Sequence, residues 1–347
     1  MMTPNERVMT VLRGGRADKV PFTVYECMLP SCTTERVLRN RGLCVVYRRP
    51  SYRKVMPDVK VTSFTTIDEK DRKFVRTTYS TPIGDLSEMA EVADFTSWTH
   101  EYLFKTPDDY KKLMYMIRNV SFIPDYDAAA SKIASLGPDF IVRDQIPYEP
   151  LQALISRYMG TEAFSYEWMD NRDEVLQLYD ALVESNRKTY SIVANGPMQF
   201  ANYGGNVTPS VIGPEVFRQY YVPNYNEAAD ILHGRSKLIG THLDADNSLI
   251  MDDVSITALD YIEAYDVGMS PSVRTAKKSW LGKALWINWP SVWHLNDSKV
   301  VREKTRQLIE DAKPCDGFII GITEDVPVDR WQQNFMSIMD GIDDCIL

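Results

Sequence analysis

The sequence predicts an α/β fold, a single (β/α)8 TIM barrel with an N-terminal extension, and three observations predict it. Short runs that are apolar on both faces recur in the chain, which is how strands buried in a parallel sheet read. Amphipathic helical segments alternate with them, so the repeating unit is strand–helix–strand. The chain carries no Gly-rich phosphate loop, which favours a barrel over a dinucleotide-binding sheet. One domain is expected over residues 1–347, with residues 1–80 holding the extension and the first barrel elements.

The elements follow in chain order. Thr106-Pro107-Asp108-Asp109 reads as a helix start: Thr106 caps, Pro107 suits the first helical position and the two acids favour the positive end of the dipole. Tyr110 to Met116 then carries the apolar face. Phe140-Ile141-Val142 is a strand, and Glu162 to about Tyr190 forms one or two long amphipathic helices. Gly213-Pro214-Glu215 opens a further helix that Pro223 should kink or break. Leu238–His242, Ala284–Ile287 and Phe318–Ile322 are the later strands. Between the last two, Asp297 to Lys313 is helical, with Val300, Val301, Leu308 and Ile309 on its apolar side.

Composition narrows the function. With 44% hydrophobic and 25% charged residues the chain is globular rather than disordered. Its 39 basic and 48 acidic side chains leave a net charge of −9, which does not attract a phosphate backbone, so no nucleic-acid partner is expected. Five scattered cysteines without a CxxC pair fit a reducing compartment better than a disulfide framework. No signal-like apolar segment opens the chain and no run nears the ~18 residues of a membrane span. A soluble, cytoplasmic protein is the expectation.

A barrel places its active site at the C-terminal ends of its strands. The polar residues there are Arg143 and Asp144, then His242, Asp244 and Asp246, then Asn288 and Trp289, and last Thr323, Glu324 and Asp325. The sharpest pattern is Gly240 to Asn247. His242 and Asp244 are two residues apart at a strand end, so they point to one side, and imidazole plus carboxylate can hold a metal. Glu324 is a second carboxylate that a barrel would bring to the same mouth. On the residues alone, Asp244 and Asp246 as helix caps, with His242 a hydrogen-bonded rim residue, is the commoner arrangement. Glu263 is either a site residue or a solvated glutamate. Tyr25, Tyr148, Tyr203, Trp286, Trp289 and Trp293 line an aromatic cleft or fill the core. His100, His233 and His294 read as structural or surface residues, and Cys315 lies at the wrong end of its strand for the mouth.

Thr3-Pro4-Asn5-Glu6-Arg7-Val8, Arg16 to Phe22, Thr81-Pro82-Ile83-Gly84-Asp85-Leu86, Ile212 to Phe217 with Val222-Pro223, and Gly317–Ile320 to Val326-Pro327 occur in an order and spacing that resembles the uroporphyrinogen decarboxylase-like superfamily over nearly the whole chain. The resemblance implies a single TIM barrel and one of two chemistries. The decarboxylases carry an Arg-rich clamp near the N-terminus; here that region reads Thr23-Val24-Tyr25-Glu26-Cys27-Met28, without arginine. A substrate bearing many carboxylates needs cationic partners, so decarboxylation is disfavoured.

The other branch, the cobamide-dependent methyltransferases, binds zinc through His-x-Cys and a later Cys. His242 matches the His, and Asp244 and Glu324 stand in place of the cysteines. One His and two carboxylates make a harder Lewis acid than a thiolate site, suited to an ether oxygen. The resemblance therefore implies an O-demethylase methyltransferase: Zn2+ on His242, Asp244 and Glu324, moving a methyl group from a methoxylated aromatic substrate to Co(I). The chain lacks Asp-x-His-x-x-Gly, the usual corrinoid signature, so the corrinoid (cobalamin) is expected on a partner protein. Glu263, Asp246 and Asn206 are the implied catalytic residues, with Glu263 a fourth ligand or proton donor. Asn202 is a further strand-end candidate. Tyr25, Tyr148, Tyr203 and Trp289 are the implied cofactor- and substrate-binding residues. Transfer from methyl-corrinoid to a thiol or folate, decarboxylation, and a metal-free scaffold for a corrinoid protein are the alternatives. Paired barrel rims also allow a homodimer.

Overall fold

Eight short strands close on themselves in the computed structural model, which describes residues 2–93 and 96–345. They are β1 (Phe22–Tyr25), β2 (Leu43–Arg48), β3 (Phe140–Tyr148), β4 (Phe200–Gly204), β5 (Leu238–His242), β6 (Tyr261–Asp266), β7 (Ala284–Asn288) and β8 (Phe318–Ile322). Each neighbours the next in chain order and β8 closes on β1, with parallel register such as His242 beside Glu263 and Phe22 beside Ile320. The predicted TIM barrel is therefore the fold. The strands expected at 238–242 and 318–322 have those bounds. β3 runs on past Val142, so Arg143 and Asp144 lie inside a strand rather than in the loop after it.

Alternation decides what fills the barrel. Toward the N-terminal end, Cys44, Ile141, Phe200, Ala284 and Ile319 form an apolar cluster with Val8, Met9, Val11 and Leu12 of the helix Pro4–Leu12. A capping box fixes the start of that helix: Thr3 Oγ1 accepts from the Glu6 N–H, and Glu6 accepts from the Thr3 N–H. The middle of the barrel holds two large rings, Tyr261 and Trp286, both fully buried. Glycine makes room for each. A Cβ on Gly240 would lie 2.3 Å from the Tyr261 ring, and one on Gly321 would lie 2.6 Å from Trp286 Nε1. The polar atoms of both rings are satisfied: Trp286 Nε1 donates to Thr23 Oγ1 at 2.9 Å, and Tyr261 Oη donates to Asn202 Oδ1 at 2.6 Å.

The chain divides into two compact units. The barrel is built from Met1–Ser51, Tyr126–Ile146 and Val193–Leu347, and the second unit from Tyr52–Asp125 and Pro147–Ile192. The first barrel elements thus end at Arg48, well before residue 80. The second unit contains an antiparallel meander, Lys60–Ile67, Lys73–Thr81, Gly84–Val92 and Ser97–Glu101. Its Thr81-to-Gly84 segment, one of the pieces that carried the family resemblance, is a tight hairpin turn. There the Thr81 hydroxyl accepts from the Ile83 N–H and donates to the Gly84 carbonyl. A strand pair, Tyr52–Val55 with Ser121–Pro124, and the helices Asp109–Arg118 and Gly160–Asp170 also belong to it.

Helix boundaries have local causes, and only some depart from expectation. Thr106 and Pro107 precede their helix, which starts at Asp109; the Asp109 carboxylate bends back to accept from the Lys105 and Thr106 N–H groups. The span 162–190 is two helices, broken at Asn171. The helix expected from Gly213 does begin there: Gly213, with φ of 70°, breaks the span Pro209–Val216, and the expected helix follows it from Pro214. Pro223 opens the next helix, Val222–His233, rather than ending one. The helix before β8 runs Ser298–Asp311, capped by Asp297.

The barrel's glycines give a stability prediction. Gly240→Ala should lower stability by about 1–3 kcal/mol, because the neighbouring ring is fully packed, and a chemical denaturation midpoint will show it; an unchanged midpoint would contradict the packing described.

Candidate active site at the C-terminal mouth

The same alternation that makes the barrel's lower layers apolar brings Tyr25, Arg143, Asn202, His242 and Glu263 together near the strand ends. Glu263 is fully buried, and Arg143 is 6% exposed. A carboxylate without water must be paired and hydrogen-bonded. Arg143 Nη1 is in contact with Glu263 Oε1, and Asn202 Nδ2 donates to Oε2 at 2.6 Å. His242 Nδ1 lies 3.2 Å from Oε2 and 3.4 Å from Tyr25 Oη. At the solvent side His242 Nε2 faces Asp244 Oδ2 at 3.5 Å, and Asn206 Nδ2 donates to that oxygen at 2.8 Å. The result is a line of alternating charge: Arg143, Glu263, His242, Asp244.

Two backbone devices hold this line. Ala264 has φ of 59°, and the β6–β7 register shifts between Ile262 and Tyr265. The bulge adds one residue to β6. Tyr261 and Glu263 therefore face inward, while Tyr265 turns onto Trp280 and donates to the Pro271 carbonyl. At the end of β4, Gly205 lies directly against β5: a Cβ there would come 2.0 Å from the His242 carbonyl. Asn206, with φ of 61°, then donates its N–H to that carbonyl and its amide to Asp244.

The charges follow from these contacts. Burial by itself would raise the Glu263 carboxyl, but the Arg143 charge and the His242 contact bring it down to about 2. Glu263 is ionised at neutral pH, so it is neither a solvated surface glutamate nor a proton donor. Burial would lower the His242 imidazole; hydrogen bonds to Asp244 and Glu263, with their charges, outweigh it and raise it to about 9. His242 is thus an imidazolium at neutral pH. Burial, with Asp266 and Asp244 nearby, raises the Glu324 carboxyl.

The expected site residues divide clearly. His242, Asp244, Asn206, Glu263 and Tyr25 come together. Glu324 is half-buried and accepts from Ser291 Oγ at 3.1 Å. Among the described residues no group of three or more His, Cys, Asp or Glu side chains is arranged to hold a metal ion. The zinc set His242, Asp244 and Glu324 is not drawn into such a group: His242 Nδ1 faces Glu263, Nε2 faces Asp244 at 3.5 Å, and Glu324 accepts from Ser291. Asp246 is exposed and accepts from the Ser248 N–H and hydroxyl, a turn-capping role. Tyr203 packs edge-on against Tyr225 of the helix Val222–His233, away from the interior. Tyr148 belongs to the second unit, under Arg157. Trp289 is buried against Trp293, and its indole N–H has no hydrogen-bond partner among the described residues.

His100 pairs with Glu91, His233 with Asp260, and His294 Nδ1 with Asn334, all structural contacts. Arg143 is the residue that sequence reasoning left without a role. Its signal was a charge at an inward position directly after the apolar run Phe140-Ile141-Val142.

Comparison with known proteins is consistent with this architecture. No family model matches the chain, and no curated protein does. Among solved structures it is similar to a methyltransferase from Methanosarcina mazei, at 11% identity and a TM-score of 0.60 over 99% of both chains. That likeness shows the fold. Two structures of the pneumococcal exo-β-D-N-acetylglucosaminidase StrH match more distantly, at 12% identity and TM-scores of 0.41 and 0.40, over 97% and 96% of this chain and 85% and 86% of theirs.

The buried pair gives a sharp prediction. Arg143→Met and Glu263→Leu should each cost about 3–5 kcal/mol, since each strands a buried charge, whereas the double variant should recover most of that loss. Denaturant unfolding of the four proteins measures it; additive losses would mean the two side chains act independently.

Proposed function

We propose that the barrel is a methyltransferase that takes a methyl group from a methoxylated aromatic compound and passes it to Co(I) of a corrinoid carried by a separate protein. The observation that carries the reading is an imidazolium, His242, held by two carboxylates at the mouth of the barrel. Its support from known proteins is the full-length fold likeness to a methyltransferase, together with the sequence resemblance described above.

In this reading the partner's corrinoid would supply a Co(I) nucleophile as methyl acceptor, and the electron pair of the broken carbon–oxygen bond would stay on the oxygen. A poor leaving group of this kind needs a proton or a positive charge. His242 supplies the proton through its Nε2–H, on the solvent side where the contact to Asp244 is the longer one at 3.5 Å, and recovers one from solvent after release of the phenol. Glu263 stays ionised, fixes the ring and keeps it charged. Asp244 holds the outer edge of the ring, and Asn206 orients Asp244.

The test is conversion of methoxylated benzoates with chemically reduced cob(I)alamin, followed by the absorbance of methylcobalamin and by the demethylated product. The wild-type chain should turn over. His242→Ala should lose about 100-fold or more. The rate should be steady around neutral pH and fall as pH rises through about 9, where His242 loses its proton. Absence of methyl transfer from every methoxyarene would overturn the reading. So would one zinc per chain that is lost in His242→Ala, as measured by metal mass spectrometry, because His242 would then be a ligand rather than an acid.

A further inference from the structure

The second unit holds a cavity of about 350 Å³ that is lined wholly by its own residues. We propose that this cavity binds a small aromatic carboxylate, at a site separate from the chemistry proposed for the barrel mouth. Three observations point there.

The floor is apolar and buried: Leu103, Met116, Ile117 and Leu182 line it and are each 7% exposed or less. Aromatic side chains form the walls. Phe122 packs edge-on against Tyr52 with ring centres 5.1 Å apart, and the Tyr79 hydroxyl donates to Glu88 at 2.9 Å. Such a volume, with an apolar floor and a few polar groups at one side, is the usual form of a small-ligand site.

The charge on the lining is positive, although the chain as a whole carries −9. Lys54 and Arg157 line the cavity against one carboxylate, Glu88. The Tyr79 hydroxyl already engages that carboxylate. Neither cation has a carboxylate partner within ion-pair distance among the described residues. Arg157 instead lies over the Tyr148 ring, 4.7 Å from its centre, and donates to its hydroxyl at 3.0 Å. A guanidinium braced on an aromatic face keeps its other N–H groups for a bidentate anion.

The backbone is also unusual at this place. Leu154–Met159, which carries Arg157 and Tyr158, is a π-helical segment that continues the short helix Pro150–Ala153. Segments of this kind are rare and concentrate at functional sites. A ring on the apolar floor with its carboxylate toward Lys54 and Arg157 satisfies all three features.

Titration calorimetry of the full chain with sodium benzoate, benzamide and cyclohexanecarboxylate tests the proposal. Benzoate should bind with a Kd of roughly a millimolar or tighter, and both benzamide and cyclohexanecarboxylate about tenfold more weakly. Arg157→Met and Lys54→Met alter exposed side chains, so both should fold, which circular dichroism will confirm. Each should weaken benzoate about tenfold, while His242→Ala leaves it unchanged. No benzoate binding to the wild-type chain would overturn the proposal. Equal binding of benzamide would overturn the anion site, and loss of binding in His242→Ala would place the ligand at the barrel mouth instead. Methyl transfer with no benzoate site, or the reverse, separates this proposal from the reading of the barrel.

Discussion

One carboxylate that has lost all contact with water, Glu263, dictates much of the upper barrel. An ionised group in that position is untenable without several partners, and three neighbouring strands supply them: Arg143 from β3, Asn202 from β4 and His242 from β5. The bulge at Ala264 turns Glu263 and its neighbours to the faces they need. Asn202 is tied in from below by Tyr261. That ring has space only because position 240 is glycine. The polar site and the packed core beneath it are therefore one construction, so that a change in either is felt in the other.

The barrel separates stability from chemistry along its axis. Its N-terminal end is closed by the helix Pro4–Leu12 and a cluster of aliphatic and aromatic side chains. Its C-terminal end carries charge. His242 lies at the boundary, with Nδ1 toward the buried carboxylate and Nε2 toward Asp244. That placement turns an ordinary imidazole into a cation at neutral pH, since two negative neighbours outweigh the penalty of burial.

The second unit follows different physics. It is a meander of antiparallel strands with one edge strand, Lys60–Ile67, exposed along its whole length, joined in the chain to helices that contain a π-helical segment. Such a sheet with one wet face needs no helices on both sides. The two stretches of sequence that form it flank residues Tyr126–Ile146, which return to the barrel.

The buried parallel strands were legible in the sequence because they are apolar on both faces: Leu238–His242 and Phe318–Ile322 stand out by composition alone. The helix Ser298–Asp311 was legible for a similar reason, an Asp cap followed by an apolar stripe. His242 and Asp244 were visible as a pair because two residues at a strand end share a face. The partners were hidden. Nothing local tells that Arg143 meets Glu263, 120 residues apart, or that Glu263 is buried rather than solvated, since a lone glutamate reads the same in either place. The place of Glu324 was legible only in part: its carboxyl is within electrostatic reach of His242 and Asp244, but its hydrogen bond comes from Ser291, because a shared barrel mouth brings residues near one another and does not set side-chain direction. Tyr203 and Tyr148 illustrate the same limit, one turned to the helices and the other in a separate unit. Local pattern thus determined the barrel and the ends of its strands. Only the closing of eight strands decided which charges meet, because inward direction depends on register and on one bulge that no short window of sequence contains.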